Sequence, residues 1–104
     1  NTLYRETANG LVENVYTLKV VNMDEQTHRY SLAVSGLEGM ELVLADPIIE
    51  VSGGEVLTLP ASVRVDPIVL KRAASEIEFT ISAHDNATLT RVETARFLGP
   101  AMAR

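Results

Sequence analysis

The sequence predicts an all-β domain in which two sheets pack as a sandwich. In the run Ser75–His84 every second residue is apolar or small and the others are polar, which indicates a strand with one buried and one solvated face. Similar runs recur, about seven in all, with turn signals between them and no long helical pattern. The length of 104 residues fits an immunoglobulin-like sandwich with Greek-key connections. A small barrel is the alternative architecture.

The first part of the chain predicts a short hairpin followed by two regular strands. Residues 1–12 form an N-terminal arm or first strand, because Asn9-Gly10 is a favoured type I′ turn pair. The runs Asn14–Asn22 and His28–Ser35 alternate cleanly on either side of a turn-rich segment, 23–27. We predict that these two strands pair as an antiparallel hairpin. Their inward positions are predicted to be Tyr16, Leu18, Val20, Tyr30, Leu32 and Val34.

The second part predicts four further strands in addition to Ser75–His84. They are Met40–Leu44, Ile48–Val51, Glu55–Asp66 and Thr88–Leu98. Pro60 lacks a backbone donor, so the third of these is expected to be kinked or to lie at a sheet edge.

Two connecting features are also predicted from the second part. The connection Pro67–Ala74 is expected to hold a helical turn at 71–74. In the last strand the alternation is less regular, which suggests a bulge or an edge position.

The composition indicates one domain, residues 1–104, with a flexible tail at 101–104. The net charge is −5, and residues 1–52 carry eight acidic and three basic side chains, so nucleic acid is not an expected partner. Cysteine is absent, which excludes disulfides and cluster-binding thiolates in this chain. No apolar run approaches the ~20 residues of a membrane-spanning helix, so direct membrane insertion is not expected. Because the chain begins at Asn1 and not at Met, we expect it to be a piece of a longer protein.

Four segments carry a family resemblance: Asn1–Glu6, Asn9-Gly10, Glu13–Asn22 and the closing Arg96–Pro100. In order and spacing they resemble the C-terminal domain of the FixG/CcoG family, which comprises membrane-bound, ferredoxin-like accessory proteins of cytochrome cbb3 oxidase assembly. The resemblance extends over nearly the whole chain and is densest in residues 1–22.

The resemblance implies that the chain is the C-terminal fragment of a longer membrane protein. It also implies a non-catalytic accessory domain on the periplasmic side of the bacterial inner membrane. Family members carry transmembrane helices, two 4Fe–4S clusters and a link to copper(II) reduction. No cluster-binding cysteine has a counterpart here, so no catalytic residue is carried over and no cofactor is expected in this domain. The expected partner is a protein, such as an oxidase assembly component or the membrane part of the parent. A generic envelope adhesion or chaperone-like module, or an enzyme in its own right, remains the alternative.

Copper makes the two histidines and three methionines worth considering as ligands. Met23, Asp24, His28, His84 and Asp85 are expected at one end of the sandwich, but strand phase directs His28 inward and His84 outward. A shared metal site is therefore not assigned. Two methionines have ordinary alternatives, since Met40 is expected to fill the core and Met102 to lie in the tail.

Other possible sites also have ordinary explanations. Glu76 and Glu78 share one strand face at a spacing that suits a glycosidase, but a solvated face explains them better. Asn86-Ala87-Thr88 matches a glycosylation sequon without further support, and Gly53-Gly54 is a turn pair. No residue is assigned a catalytic, cofactor-binding or metal-binding role.

Overall fold

The computed structural model describes residues 4–100, with the main chain alone at Ala87, and it confirms the immunoglobulin-like β-sandwich. Eight strands form two antiparallel sheets of four. The strands are β1 (Arg5–Glu6), β2 (Val12–Val21), β3 (His28–Ser35), β4 (Glu41–Leu44), β5 (Ile49–Val51), β6 (Val56–Val65), β7 (Ala74–Ala83) and β8 (Asn86–Leu98). The first sheet has the order β1-β2-β6-β4, and the second has the order β5-β3-β7-β8. No helix in this part of the chain is long and apolar enough to cross a membrane.

The predicted hairpin between the strands at 14–22 and 28–35 is wrong. β2 pairs along its whole length with β6, from Val12 opposite Val65 to Val21 opposite Val56, whereas β3 pairs with β5 and β7 in the other sheet. The connection crosses between the sheets because Asn22 is buried there, and its side-chain amide donates to the carbonyls of Gln26 and Val51. Alternation specifies which face of a strand is buried, but it does not specify the neighbour.

The N-terminal hairpin forms between β1 and β2, with a turn of a different type from the predicted one. The Gly10 amide donates to the Thr7 carbonyl, and Gly10 has φ +84°. Asn9 does not have the positive φ that a type I′ turn requires at both central positions. The glycine alone supplies the left-handed conformation.

Pro60 lies inside a central strand but beside a local edge. β6 stands between β2 and β4, yet β4 pairs with it only from Ala61 to Arg64. Pro60 is the next residue, so a missing N–H on that side costs no ladder hydrogen bond. The predicted edge position of this strand is therefore wrong, and Pro60 is tolerated because β4 is short.

The helical turn lies at Pro67–Val69, and not at 71–74 as predicted. The Asp66 side chain accepts a hydrogen bond from the Ile68 amide, and proline occupies the first helical position. Capping and the fixed φ of proline favour the turn there more strongly than the modest helix propensity of Lys71 and Arg72 does at 71–74.

The closing hairpin joins β7 to β8, and β8 is the edge strand of the second sheet. The register shift lies between Ser82 and Ala83, at the turn end of the hairpin, and does not interrupt the pairing from Ser82 opposite Thr90 to Ala74 opposite Leu98. The predicted edge position is confirmed, and the irregularity belongs to the start of the strand. The predicted tail at 101–104 lies outside the described residues.

The inward side chains form two apolar clusters. The first contains Val12, Val63, Val65, Leu70, Ile77, Phe79 and Phe97. The second contains Val20, Tyr30, Ile49, Val51, Leu59 and Ala83. The alternation in β7 is therefore confirmed, because Ile77, Phe79 and Ala83 are buried. Tyr16 packs edge-on against Phe79, with ring centroids 5.1 Å apart.

Side chains from β2 connect the two sheets along the β8 edge. Asn14 donates from Nδ2 to the Leu98 carbonyl at 2.8 Å and accepts from the Leu98 amide at 2.9 Å. The Tyr16 hydroxyl donates to the Arg96 carbonyl at 2.8 Å. These side chains satisfy main-chain groups of β8 that have no neighbouring strand, so they close this side of the sandwich.

We expect Asn14→Asp to destabilise the domain by about 1–3 kcal/mol. The substitution keeps the shape but replaces a donor to the Leu98 carbonyl with a carboxylate oxygen, and Asn14 is 4% exposed. Urea unfolding measured at neutral pH gives the change. The matched control is Asn9→Asp in an exposed turn, where Oδ1 accepts from the Thr7 hydroxyl and this contact is retained. Equal stability of the two variants would contradict the bridging role.

Candidate functional site

His28 is held between two carboxylates at one end of the sandwich. Its Nε2 lies 2.8 Å from Asp24 Oδ2, and its Nδ1 lies 3.0 Å from both oxygens of Asp85. Asp24 belongs to the β2–β3 connection and Asp85 to the β7–β8 turn, while the ring itself is 6% exposed at the start of β3. The structure thus brings together three of the residues that the sequence placed at this end.

Both ring nitrogens of His28 face carboxylate oxygens within hydrogen-bond distance. The hydrogen bond to Asp24, and then that to Asp85, raises the pKa of the imidazole above its ordinary value of 6.5, against the opposing effect of burial. The same hydrogen bond from His28 lowers the pKa of the Asp24 carboxyl, with a further contribution from the Glu25 amide. A protonated ring fits two carboxylates, because a neutral ring would turn one lone pair toward an oxygen. With both nitrogens so occupied, the ring has no free electron pair for a metal ion.

His84 lies on the other side of its sheet from His28. Its Nε2 is 2.6 Å from the Ser31 hydroxyl on the outer face, and its amide donates to the Arg29 carbonyl at 2.8 Å. The two histidines therefore leave opposite faces, as strand phase predicted. The β2–β3 connection and the β7–β8 turn lie close together in space and bring Asp24 and Asp85 to His28, whereas the His84 side chain lies on the other face.

The methionines do not converge on the histidines in the part of the chain that the structure describes. Met23 is 90% exposed, whereas Met40 packs against the first apolar cluster and its sulfur accepts the Leu37 amide at 3.2 Å. The core position predicted for Met40 is confirmed, and Met102 lies outside the described residues. Within 4–100, no three residues of the metal-ligating types His, Cys, Asp and Glu are arranged to hold an ion.

Glu76 and Glu78 lie on the exposed outer face of β7, as predicted for a solvated strand face. Glu76 is directly opposite Arg96, and Glu78 is opposite Thr94. A shallow depression of about 500 Å³ borders Glu76 and is lined by Arg72, Ala74, Ser75, Glu76, Thr94, Ala95 and Arg96. Glu78 does not line it, so the pair does not flank a common cleft.

A charged row that the sequence analysis missed crosses the outer face of the first sheet. Arg5, Glu13, Arg64 and Glu41 are directly opposite one another on β1, β2, β6 and β4, with alternating sign. Glu13 is 2% exposed, and its two oxygens accept from the Nε of Arg5 and, at 2.7 Å, from the Nε of Arg64. The arginine hydrogen bonds lower the pKa of this carboxyl, Arg64 contributing most.

These polar clusters have the geometry of structural connections. The first joins loops of the two sheets through His28, and the second joins three strands of one sheet through Glu13. The predicted Asn9-Gly10 turn did not signal this pair, because the observed register is centred on Asn9, which lies four residues from both Arg5 and Glu13. Arg64 is 51 residues from Glu13, and only the β2–β6 pairing brings it there.

Stability should depend on pH through His28. A raised pKa in the folded state adds stability that is complete below 6.5 and is lost as the pH rises through the folded-state value. The lowered pKa of Asp24 adds stability above 3.8 that is lost as the pH falls through its folded-state value. We therefore expect the melting temperature of the native chain, relative to that of His28→Gln, to fall as the pH rises above 6.5. Thermal unfolding of both proteins across this pH range measures the difference. His84→Gln is the control and should follow the native curve, and a native curve parallel to that of His28→Gln would contradict the assignment.

Glu13→Gln should destabilise the domain by about 1–2 kcal/mol, because it replaces charge-assisted hydrogen bonds to two arginines with at most one neutral acceptor. Urea unfolding at neutral pH measures this loss. Glu41→Gln changes the same charge at the exposed end of the row and should cost less than about 0.5 kcal/mol. A Glu13 variant as stable as the Glu41 variant would show that the row is only a surface pattern.

Comparisons with known proteins agree with the fold. The family model described as "IG-like fold at C-terminal of FixG, putative oxidoreductase" matches residues 1–100. Among solved structures, the chain is similar to a FixG-related protein from Vibrio parahaemolyticus at 39% identity, with a TM-score of 0.75, covering 84% of this chain and 78% of that one. No curated protein matches the chain. The chain therefore belongs to the FixG C-terminal family of immunoglobulin-like domains.

Proposed function

We propose that this chain is the non-catalytic, periplasmic accessory domain of a FixG-type, ferredoxin-like membrane protein. In this role it serves cytochrome cbb3 oxidase assembly and copper handling through protein–protein contact. The observation that carries the proposal is the family match over residues 1–100, which is supported by a related structure at 39% identity. A domain of this kind contributes a shaped surface, and the redox chemistry belongs to the rest of the parent.

The polar residues of the domain support a structural role for this unit. A catalytic group needs a perturbed pKa together with access to a substrate. Among the described carboxylates and imidazoles, three groups have a shifted pKa: Glu13, Asp24 and His28. The Glu13 carboxylate faces two arginines, and the Asp24 carboxylate and the His28 ring face each other. These side chains do not point into a cleft. Their shifts are explained by connections that hold strands and loops together.

The cluster chemistry of the parent also points away from this chain. Iron–sulfur clusters of the ferredoxin type are held by cysteine thiolates, and this sequence contains no cysteine. The clusters expected of the parent would therefore be bound by other segments. A periplasmic sandwich attached to such a membrane part is positioned to meet partners on that side of the membrane.

The test uses a bacterial strain lacking the parent gene, complemented with either the full-length parent or a parent lacking only this domain. We expect the shortened parent to retain its cluster signals in electron paramagnetic resonance and its copper(II) reduction in isolated membranes. We expect cbb3 oxidase activity of the same membranes to fall several-fold.

Both versions must be compared at equal membrane abundance, measured with an antibody to an upstream segment. Loss of copper(II) reduction in the shortened parent with its clusters intact would show that the domain takes part in the chemistry. Unchanged oxidase activity would show that the domain is not needed for assembly.

A further inference from the structure

β8 forms a long outer edge of the second sheet. It has 13 residues and stands last in the order β5-β3-β7-β8, and among residues 4–100 no strand lies beyond it. β1 has only two residues and pairs with β2, so it does not cover this edge. A free strand edge offers main-chain donors and acceptors to another strand.

The contacts made by β2 show which main-chain groups of β8 point outward. The Leu98 amide and carbonyl and the Arg96 carbonyl bond to side chains outside the second sheet. In an antiparallel strand the direction of the main-chain groups alternates from one residue to the next. The pairing with β7 is regular over this stretch, so the amide and carbonyl of Val92 also point outward. The Val92 side chain is 51% exposed.

The residues around Val92 are complementary to the same residues of a second copy of β8. If two copies of β8 run antiparallel about a twofold axis at Val92, then Arg91 of each copy lies opposite Glu93 of the other. One step further, Leu89, which is 44% exposed, lies opposite Ala95. Both contacts occur twice because of the symmetry, and opposite charges in directly facing positions stabilise a strand pair.

We propose that the chain forms a twofold-symmetric dimer through antiparallel pairing of β8 with β8 of a second copy, centred on Val92. The phase of the main chain agrees with this register. Val92 faces Val92 as a hydrogen-bonded pair, so the two residues exchange both of their outward groups. Arg91 and Glu93 then form the intervening pairs, in which facing side chains lie closest.

Arg91 and Glu93 are available for these contacts. Their side chains are 75% and 67% exposed, and within one chain they form an ion pair at 3.7 Å. Such an exposed pair contributes little to the stability of one chain. In the dimer each charge gains a facing partner, while the two second sheets join into one continuous sheet of eight strands. This inference stands on the geometry of β8 and does not depend on the role proposed above.

Sedimentation equilibrium tests the dimer in solution. We expect a weak, reversible shift from the 11.3 kDa monomer toward twice that mass as the chain is concentrated from about 10 µM to about 1 mM. The measurement is made at about 0.15 M salt, where repulsion between the net charges of −5 is screened but facing pairs still interact. A chain that stays monomeric over the whole range overturns the proposal.

Charge exchange tests the register. Arg91→Glu and Glu93→Arg each place like charges opposite one another twice, so each variant alone should dimerise roughly tenfold or more weakly. A mixture of the two restores opposite charges at every position and should dimerise like the native chain, as should the double variant R91E/E93R. Because both side chains are exposed, neither change should disturb the fold. If dimerisation is insensitive to these changes, the interface lies elsewhere and the proposal fails.

Amide hydrogen exchange followed by NMR gives a third readout that ordinary surface association would not reproduce. The Val92 amide should become protected as the concentration rises. The Arg91 and Glu93 amides point toward β7 in the monomer and should be protected at every concentration. Protection of Val92 that does not change with concentration overturns the proposed pairing.

Discussion

The two hydrogen bonds between the Asn14 side chain and the Leu98 main chain are the connection on which the sandwich depends along its β8 side. Asn14 belongs to the first sheet and Leu98 to the second, so one side chain replaces the neighbouring strand that Leu98 lacks. Tyr16 repeats the arrangement at Arg96, and its ring packs against Phe79 in the first apolar cluster. These side chains therefore form hydrogen bonds with main-chain groups at the edge of β8 and also cover the core. The polar and apolar contributions to stability on this side are consequently coupled.

The opposite end of the sandwich is held by charge. At His28 the connection joins an imidazole to two carboxylates, whereas at Asn14 it uses neutral groups. Burial raises the pKa of the Tyr16 hydroxyl to about 12, so the hydrogen bond from Tyr16 to Arg96 does not change near neutral pH. Proton uptake and release around neutrality consequently act on the β2–β3 and β7–β8 loops, and the β8 side keeps its contacts.

The positions of the strands could be predicted from the alternation of apolar and polar residues. A half-buried strand shows this alternation whichever strand it pairs with. Ile77 and Phe79 illustrate this, because their burial depends only on the face that they share. The alternation did not predict the strand partner of β2, because two strands joined by a short loop can either pair with each other or belong to different sheets. The buried Asn22 side chain stabilises the crossing, because it donates a hydrogen bond to the Val51 carbonyl in the second sheet. To predict that Glu13 lies between two arginines, the strand partner of β2 must be known. The error in the strand pairing therefore also concealed this cluster.

The edge strands of the sandwich show why β8 differs from the rest. β1, β4 and β5 have two, four and three residues, and short edge strands are one of the ways in which proteins avoid unwanted pairing. β8 has 13 residues, and β2 protects only its end at Arg96 and Leu98. Charge is another form of protection, but Arg91 and Glu93 have opposite signs at positions symmetric about Val92. They therefore favour this register and oppose those that place like charges opposite one another. Pairing in that register uses the long edge of both copies and leaves only short strands at the ends of the joined sheet. The association therefore closes at two chains and does not continue as a fibre.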